Sequence, residues 1–168
     1  MTYPPIVIVD QDDQPTGEAS MDEAHQKGLY HRIARVMVED EKGRLLLQKR
    51  SATVSTFPNC WDHSAAGHVD VGETYEQAAA RELQEEIGLT GDLQEMGYWK
   101  TNEKFGDRIL NRFNKAYRVK VDDPDLALQA SEVTEVKWFT PQEIKQLIAD
   151  YPNQVAAGLV DVMERFYA

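Results

Sequence analysis

The sequence predicts an α+β fold in which a mixed β-sheet carries helices inserted between its strands. Three observations support this class. Segments with strand-like alternation outnumber helical segments, the helical segments begin at capping sequences, and the two kinds of segment are interspersed along the chain. The chain has 168 residues, of which 42% are hydrophobic, so length and composition favour one globular domain over residues 1–168.

Each element follows from a local pattern. Short apolar or alternating runs bounded by turn residues predict the strands, as at Ile6–Val9 before the turn Asp13–Gly17. Capping boxes at Ser20, Thr74 and Thr140 predict three helix starts, and glycines after the first two helices predict their ends. The predicted strands are 6–9, 31–38, 44–50, 61–66, 93–103, 109–121 and 133–139, and the predicted helices are 21–27, 74–87, 141–149 and 154–167.

The net charge of −11, from 18 basic and 29 acidic side chains, disfavours two classes of partner. Nucleic acids and anionic membrane surfaces both attract basic protein faces, so we expect neither as a partner. The charge is also uneven along the chain. Residues 67–89 contain six acids and one base, a net −5, whereas residues 90–120 contain four acids and seven bases, a net +3.

Other composition features indicate a cytoplasmic protein. Cys60 is the one cysteine in the sequence, which excludes an intrachain disulfide. No apolar run approaches the ~18 residues that a membrane-spanning helix needs. Residues 1–10 have no basic segment before their short apolar stretch, so we do not expect a leader peptide there.

The acidic block places three carboxylates on one face of a predicted helix. Because helical residues advance about 100° each, Glu82, Glu85 and Glu86 share an arc of about 100°. Like charges at this spacing repel each other by a few tenths of a kcal/mol per pair. A divalent cation would turn that repulsion into attraction, since Mg²⁺ prefers oxygen ligands and often binds substrate phosphates as well. The spacing alone leaves a solvated acidic helix face as the alternative.

The same stretch resembles the signature of the Nudix hydrolases, Gly-x5-Glu-x7-Arg-Glu-(apolar)-x-Glu-Glu-x-Gly-(apolar). The 23 residues match at nine positions without a gap: Gly67, Glu73, Arg81, Glu82, Leu83, Glu85, Glu86, Gly88 and Leu89. The order of the flanking strands also fits the family, so the resemblance covers most of the chain.

This resemblance implies an α/β/α sandwich and an enzyme that hydrolyses a diphosphate linkage in a nucleoside diphosphate joined to another group X. Mg²⁺ or Mn²⁺ would be the cofactor, and metals of this kind lower the pKa of bound water. The implied metal ligands are Glu82, Glu85, Glu86 and the carbonyl of Gly67, and the implied supporting ion pair is Arg81 with Glu73. Glu132 and Glu135 are candidates for a base outside the motif, with ordinary surface acids as the alternative.

A second resemblance is to type I isopentenyl-diphosphate isomerases and their hydrolase relatives. The residues that carry it are Val9-Asp10, Pro15–Ala19, His25, His31, Phe57–Trp61 and Gly67-His68. The isomerases need a cysteine directly before this glycine, and Ala66 stands there. They also need two glutamates on a strand that corresponds to residues 109–114, which contain none. His25, His31 and His68 are either a remnant of the isomerase metal site or ordinary polar residues.

The basic segment and the strand before the motif supply candidates for substrate binding. Arg108 and Arg112 share one face of a predicted strand, and Arg50 ends another strand near the motif. Four aromatic residues could stack on a base or pack in the core: Tyr30, Phe57, Trp99 and Phe105. We therefore expect a small-molecule diphosphate as the partner, and a homodimer is left open. An isomerase and a nucleotide-binding module without turnover are the alternative functions.

Overall fold

The computed structural model describes residues 3–168, which form nine strands and four α-helices around a mixed sheet. The strands are β1 (Ile6–Val9), β2 (Pro15–Ala19), β3 (His31–Glu39), β4 (Leu45–Arg50), β5 (Trp61–Asp62), β6 (Ala65–His68), β7 (Gln94–Phe105), β8 (Arg108–Lys120) and β9 (Val133–Phe139). The helices are α1 (Met21–Lys27), α2 (Tyr75–Ile87), α3 (Pro141–Asp150) and α4 (Ala157–Phe166). Met1 and Thr2 lie outside the described residues. They belong to the predicted domain and to the segment 1–10, in which we expect no leader peptide. None of the helices in residues 3–168 is long and apolar enough to cross a membrane.

Strand β3 is the centre of the sheet. It runs parallel to β8 along its whole length, from the pair His31–Arg112 to the pair Glu39–Lys120. Its other edge pairs antiparallel with β6, where Arg35 lies opposite Ala66, and then with β4. Because β6 leads directly to α2, this pairing fixes the acidic helix against the middle of the sheet.

Helices cover both faces of the sheet, as the α/β/α expectation requires. On one face Val36 packs in a core cluster with Leu83 of α2. On the other face Met37 packs with Ile144 of α3 and Leu159 of α4. The alternating side chains of β3 therefore enter two different cores, and the predicted α+β sandwich with a mixed sheet is confirmed.

Three predicted elements differ from the structure. The turn predicted over Asp13–Gly17 is shorter, because Pro15–Ala19 form β2 and pair antiparallel with β1. The strand expected over 61–66 is two short strands, because side chains replace backbone pairing between them: Asp62 accepts from the His63 amide at 2.8 Å, and the Ser64 hydroxyl bonds to the backbone of both Val38 and Leu46. The last helix begins at 157 rather than 154. Residues 152–154 form a 3₁₀ turn, and the amide of Ala156 donates to the Trp61 carbonyl instead of continuing a helix.

The end of α2 depends on a glycine. Gly88 adopts a left-handed conformation with φ of 72°, and its amide donates to carbonyls of the last helical turn. A Cβ placed there would lie 2.9 Å from both Cβ and the backbone nitrogen of Ala127. Two separate penalties therefore oppose a side chain at this position, one from backbone conformation and one from contact.

We predict that Gly88→Ala lowers the free energy of unfolding by more than Gly43→Ala does. Gly43 also has a positive φ, of 76°, but nothing lies within 4 Å of its added Cβ. The control should lose only the conformational term of about 1–2 kcal/mol, and Gly88→Ala should lose about 1–3 kcal/mol more from overpacking. Urea denaturation measures both, and equal losses would contradict the proposed contact.

Candidate active site

A cavity of 460 Å³ opens beside α2 and is lined by most of the predicted site residues. Its walls include Gly67, Arg81, Glu82, Glu85 and Glu86 from the motif, and Arg50, Arg108 and Arg112 from the strands. Among the predicted metal ligands, the supporting ion pair and the three substrate-binding arginines, Glu73 alone is not part of the cavity wall. The fold therefore gathers residues that are up to 62 positions apart in the sequence, from position 50 to position 112.

Glu73 lies outside the cavity wall and contacts the site through Arg81. Arg81 donates from Nε to Glu73 Oε2 at 2.8 Å and from Nη2 to Glu73 Oε1 at 2.9 Å, a two-pronged contact. Nη2 also donates to the carbonyl of His68 at 3.0 Å. These contacts tie α2 to β6 and to the loop between them, and the hydrogen bonds to Glu73 raise the pKa of Arg81.

Glu82 is packed against the bare backbone of Gly67. A Cβ on Gly67 would lie 2.2 Å from the Glu82 carboxyl carbon, so only glycine leaves room for this carboxylate. Burial raises the pKa of Glu82 to about 7, although the neighbouring Arg81 guanidinium at 2.7 Å acts in the opposite direction. Desolvation of the charged form is the larger effect.

Glu86 and Glu85 lie in contrasting environments. The Glu86 side chain is buried and accepts hydrogen bonds from Gln48 Nε2 and from the Ala66 amide, both at 3.0 Å. Burial and the nearby Glu82 carboxylate raise the pKa of Glu86 well above its ordinary value. Glu85 is half exposed and lies 3.3 Å from Arg81 Nη1.

This donor set suits a hard divalent cation. Burial raises the pKa of both Glu82 and Glu86, so a bound cation would stabilise their charged forms, and carboxylate oxygens are the ligands that Mg²⁺ and Mn²⁺ prefer. The oxygens of Glu82, Glu85 and Glu86 are not gathered within 4.8 Å of one another in the described chain. Arg81 instead holds Glu82 and Glu85 through one nitrogen.

His25, His31 and His68 are brought together, with ligand atoms within 4.8 Å of one another. Each Nε2 is buried and has no hydrogen-bond partner in residues 3–168. Burial lowers the pKa of His25 to about 4 and that of His31 to about 3, so both rings are neutral at neutral pH. Neutral imidazoles suit several transition metals. His31 Nδ1 faces the Leu29 carbonyl at 2.8 Å, which leaves its Nε2 as a free acceptor.

The three predicted substrate-binding arginines already have acidic neighbours. Arg50 lies 3.1 Å from Asp62, Arg108 lies 3.1 Å from Asp22, and Arg112 lies 3.1 Å from Glu103. Each arginine therefore lines the cavity with part of its charge compensated. Their binding to a phosphate stays a prediction.

The remaining candidates separate into those at the cavity and those away from it. Glu132 lines the cavity and accepts a hydrogen bond from the Tyr3 hydroxyl, whereas Glu135 is 3.9 Å from Lys49 and is not part of the wall. Phe57 lines the cavity, with its ring centroid 4.5 Å from that of Phe105. Of the other two aromatic candidates, Trp99 is buried in the core, and Tyr30 packs against Phe113.

Sequence reasoning missed two functional candidates at this cavity. Gln48 orients Glu86, and Arg35 lines the cavity while being almost fully buried. The sequence contains one signal for Arg35, which is the presence of a charged residue within the otherwise apolar part of a predicted strand. Gln48 had none, because its partner is 38 positions away.

Comparisons with known proteins agree with this geometry. The family model of the NUDIX domain matches residues 29–159. An isopentenyl-diphosphate Δ-isomerase of Photorhabdus laumondii is 33% identical over 88% of this chain and 84% of its own length. An uncharacterised Nudix hydrolase of Pseudomonas aeruginosa is 35% identical over 82% of this chain and 79% of its own.

Solved structures give the same result for the fold. A crystal structure of a Deinococcus radiodurans protein superimposes with a TM-score of 0.83 at 22% identity, covering 98% of this chain and 99% of its own. The NUDIX domain of a Shewanella oneidensis protein, solved with ADP ribose, superimposes with a TM-score of 0.64 at 16% identity, covering 81% and 85%. The complete motif, the sandwich and these matches together establish that the chain belongs to the Nudix family.

Proposed function

We propose that this protein is a Mg²⁺- or Mn²⁺-dependent pyrophosphohydrolase that cleaves a diphosphate linkage in a nucleoside diphosphate joined to a group X. The observation that carries the proposal is the cavity wall formed by Glu82, Glu85 and Glu86. Glycine and arginine contacts set the positions of these carboxylates, and guanidinium groups line the same cavity. Carboxylates for metal and cations for phosphate are the two requirements of diphosphate hydrolysis.

The carboxylates of α2 would hold the metal, together with the carbonyl of Gly67. A bound divalent cation neutralises the diphosphate and lowers the pKa of water. Water then attacks one phosphorus while the bridging P–O bond breaks, and the proton of the water passes to a carboxylate. Glu132 is the better placed of the two candidate bases, because it lines the cavity and Glu135 does not.

ADP ribose, which is bound by the Shewanella oneidensis domain, is itself a nucleoside diphosphate joined to a sugar. It supports the proposed substrate class because the two domains share a fold. The proposal also covers location and partners. The protein would act in the cytoplasm on a small-molecule diphosphate, and it would bind neither nucleic acid nor a membrane. A homodimer is compatible with this activity. We include in the same proposal that His25, His31 and His68 bind a metal ion, which would be a second metal site.

An isomerase is the second candidate, and the histidine cluster with the isomerase relatives favours it. Ala66 disfavours it, since it stands where the isomerases need a cysteine. Arg112 and Asn114, in the strand where their glutamates are expected, also disfavour it. Incubation with isopentenyl diphosphate distinguishes the two reactions, because isomerisation releases no phosphate.

We predict that Glu85→Gln reduces hydrolysis by about a hundredfold or more while the fold survives, since it removes a metal-ligand charge from a half-exposed position. Glu86→Gln should do the same. Glu76→Gln is the matched control, because Glu76 lies on the same helix outside the cavity wall. Phosphate release is measured across a panel of diphosphates with Mg²⁺ and with Mn²⁺, and melting temperature reports the fold. Unchanged turnover in Glu85→Gln would refute the metal assignment, and no turnover of any diphosphate by the parent protein would favour a binding module.

We predict that Gly67→Ala also abolishes hydrolysis, by displacing Glu82 rather than by removing a charge. The added methyl group would overlap the Glu82 carboxylate. Gly17→Ala is the control, because its added Cβ meets nothing within 4 Å. Isothermal titration with Mn²⁺ should show weaker metal binding in Gly67→Ala alone. Wild-type affinity in that variant would show that Glu82 is not a ligand.

A further inference from the structure

The cavity extends past the carboxylates of α2 to a buried cation. Arg35 lies in the centre of β3, opposite Ala66 of β6 and Ala116 of β8. It is 5% exposed and still forms part of the cavity wall. A charged side chain in this position is expensive to bury without an opposite charge.

The Arg35 guanidinium has a neutral partner instead. Asn114 Oδ1 accepts from both Nε, at 3.0 Å, and Nη2, at 2.7 Å. No carboxylate oxygen of residues 3–168 lies within 4.0 Å of it. Burial accordingly lowers the pKa of Arg35 to about 9, and Arg112 acts in the same direction by repulsion. The group remains charged at neutral pH. Asp62, Glu103 and Asp161 offset part of this charge from a distance, but no carboxylate contacts the guanidinium.

The third nitrogen of Arg35 faces the start of α4. Within the described chain Nη1 has no hydrogen-bond acceptor, and it lies 2.2 Å from where a Cβ of Gly158 would be. Helix α4 begins at Ala157, and its N-cap residue Ala156 provides no side-chain hydrogen bond; the amides of Ala157 and Gly158 have no acceptor in residues 3–168. A helix start and a guanidinium are both positive, so each disfavours the other unless an anion binds to both of them.

A second guanidinium borders the same region. Arg112 is 9% exposed, contacts Glu103 through Nη2 alone, and has a buried Nε without a partner in the described residues. Arg35 Nη1, Arg112 Nε and the first amides of α4 therefore have no hydrogen-bond acceptor in residues 3–168, and both arginines line the same cavity.

We propose that Arg35, Arg112 and the first amides of α4 form a binding subsite for a further phosphate group of the substrate, carried by the group X. The inference rests on the proposed function, in which the diphosphate itself lies at the carboxylates of α2. It narrows the substrate class to diphosphates whose X group is phosphorylated. It also excludes a hydrocarbon X group, such as a prenyl chain, because apolar atoms would bury the charge of Arg35 without compensating it.

The first test needs neither metal nor turnover. Inorganic phosphate is titrated into the full chain in the presence of a chelator, and the rise in melting temperature is followed. We expect the rise in the parent protein and in Arg44→Met, whose arginine lies in the β3–β4 turn outside the cavity wall. We expect it to be lost in Arg35→Met and weakened in Arg35→Lys, which keeps the charge but not the planar fork. No rise in the parent protein, or an equal rise in Arg35→Met, would overturn the subsite.

The second test uses matched pairs of diphosphates that differ by one phosphate on X, such as ADP ribose and its 1″-phosphate. The parent protein should prefer the phosphorylated member. Arg35→Met should lower kcat/KM for that member by on the order of tenfold to a hundredfold more than for the member without the extra phosphate. An equal loss on both members would indicate a structural role and contradict the proposal. If no diphosphate is hydrolysed, the proposed function fails, and the phosphate titration still decides whether the subsite exists. If Arg35→Met does not fold, Arg35→Lys replaces it in the phosphate titration and in the comparison of the two substrates.

Discussion

The arrangement of the site depends on the contacts of one side chain, Arg81. Its guanidinium joins Glu73 in the loop, the His68 carbonyl on β6 and two carboxylates on its own helix. Three acidic side chains on one arc of α2 repel each other and would separate without a cation among them. Arg81 supplies this cation from a position fixed by Glu73, so the acidic face persists as part of a folded protein before any metal binds.

The fold was largely predictable because its signals are local. Alternation identified β3, the capping boxes at Thr74 and Thr140 identified the starts of α2 and α3, and glycines marked helix ends. Some errors arose where a side chain took over a backbone role, and the start of the last helix was misplaced because the Ala156 amide bonds to the Trp61 carbonyl. Ser64 is one such case, since its hydroxyl bonds to two other strands and interrupts a strand that the sequence suggests is continuous. Single-sequence patterns contain no information about these distant partners.

The residues of the candidate site also differ in whether local sequence or distant contacts set their positions. The motif residues were predictable because they are contiguous in sequence and one helix turn sets their spacing. Gln48 and Arg35 were not, since each acquires its position from strand pairing with segments far along the chain. The histidine cluster is intermediate: its members were noticed in the sequence, but their approach to within 4.8 Å required the packing of α1 against β8 and the pairing of β6 with β3.

The close approach of Arg35 to Gly158 makes the two positions evolutionarily dependent on each other. The guanidinium occupies the space that a side chain on α4 would otherwise fill. A larger residue at 158 requires the end of the Arg35 side chain to move or a smaller residue to replace it, and a smaller residue at 35 alone leaves a void. Whichever of the two positions is substituted first, the resulting single mutant is unfavourable. Relatives should therefore exchange both residues together, and the pair marks a point at which the family can diverge in what its cavity accepts.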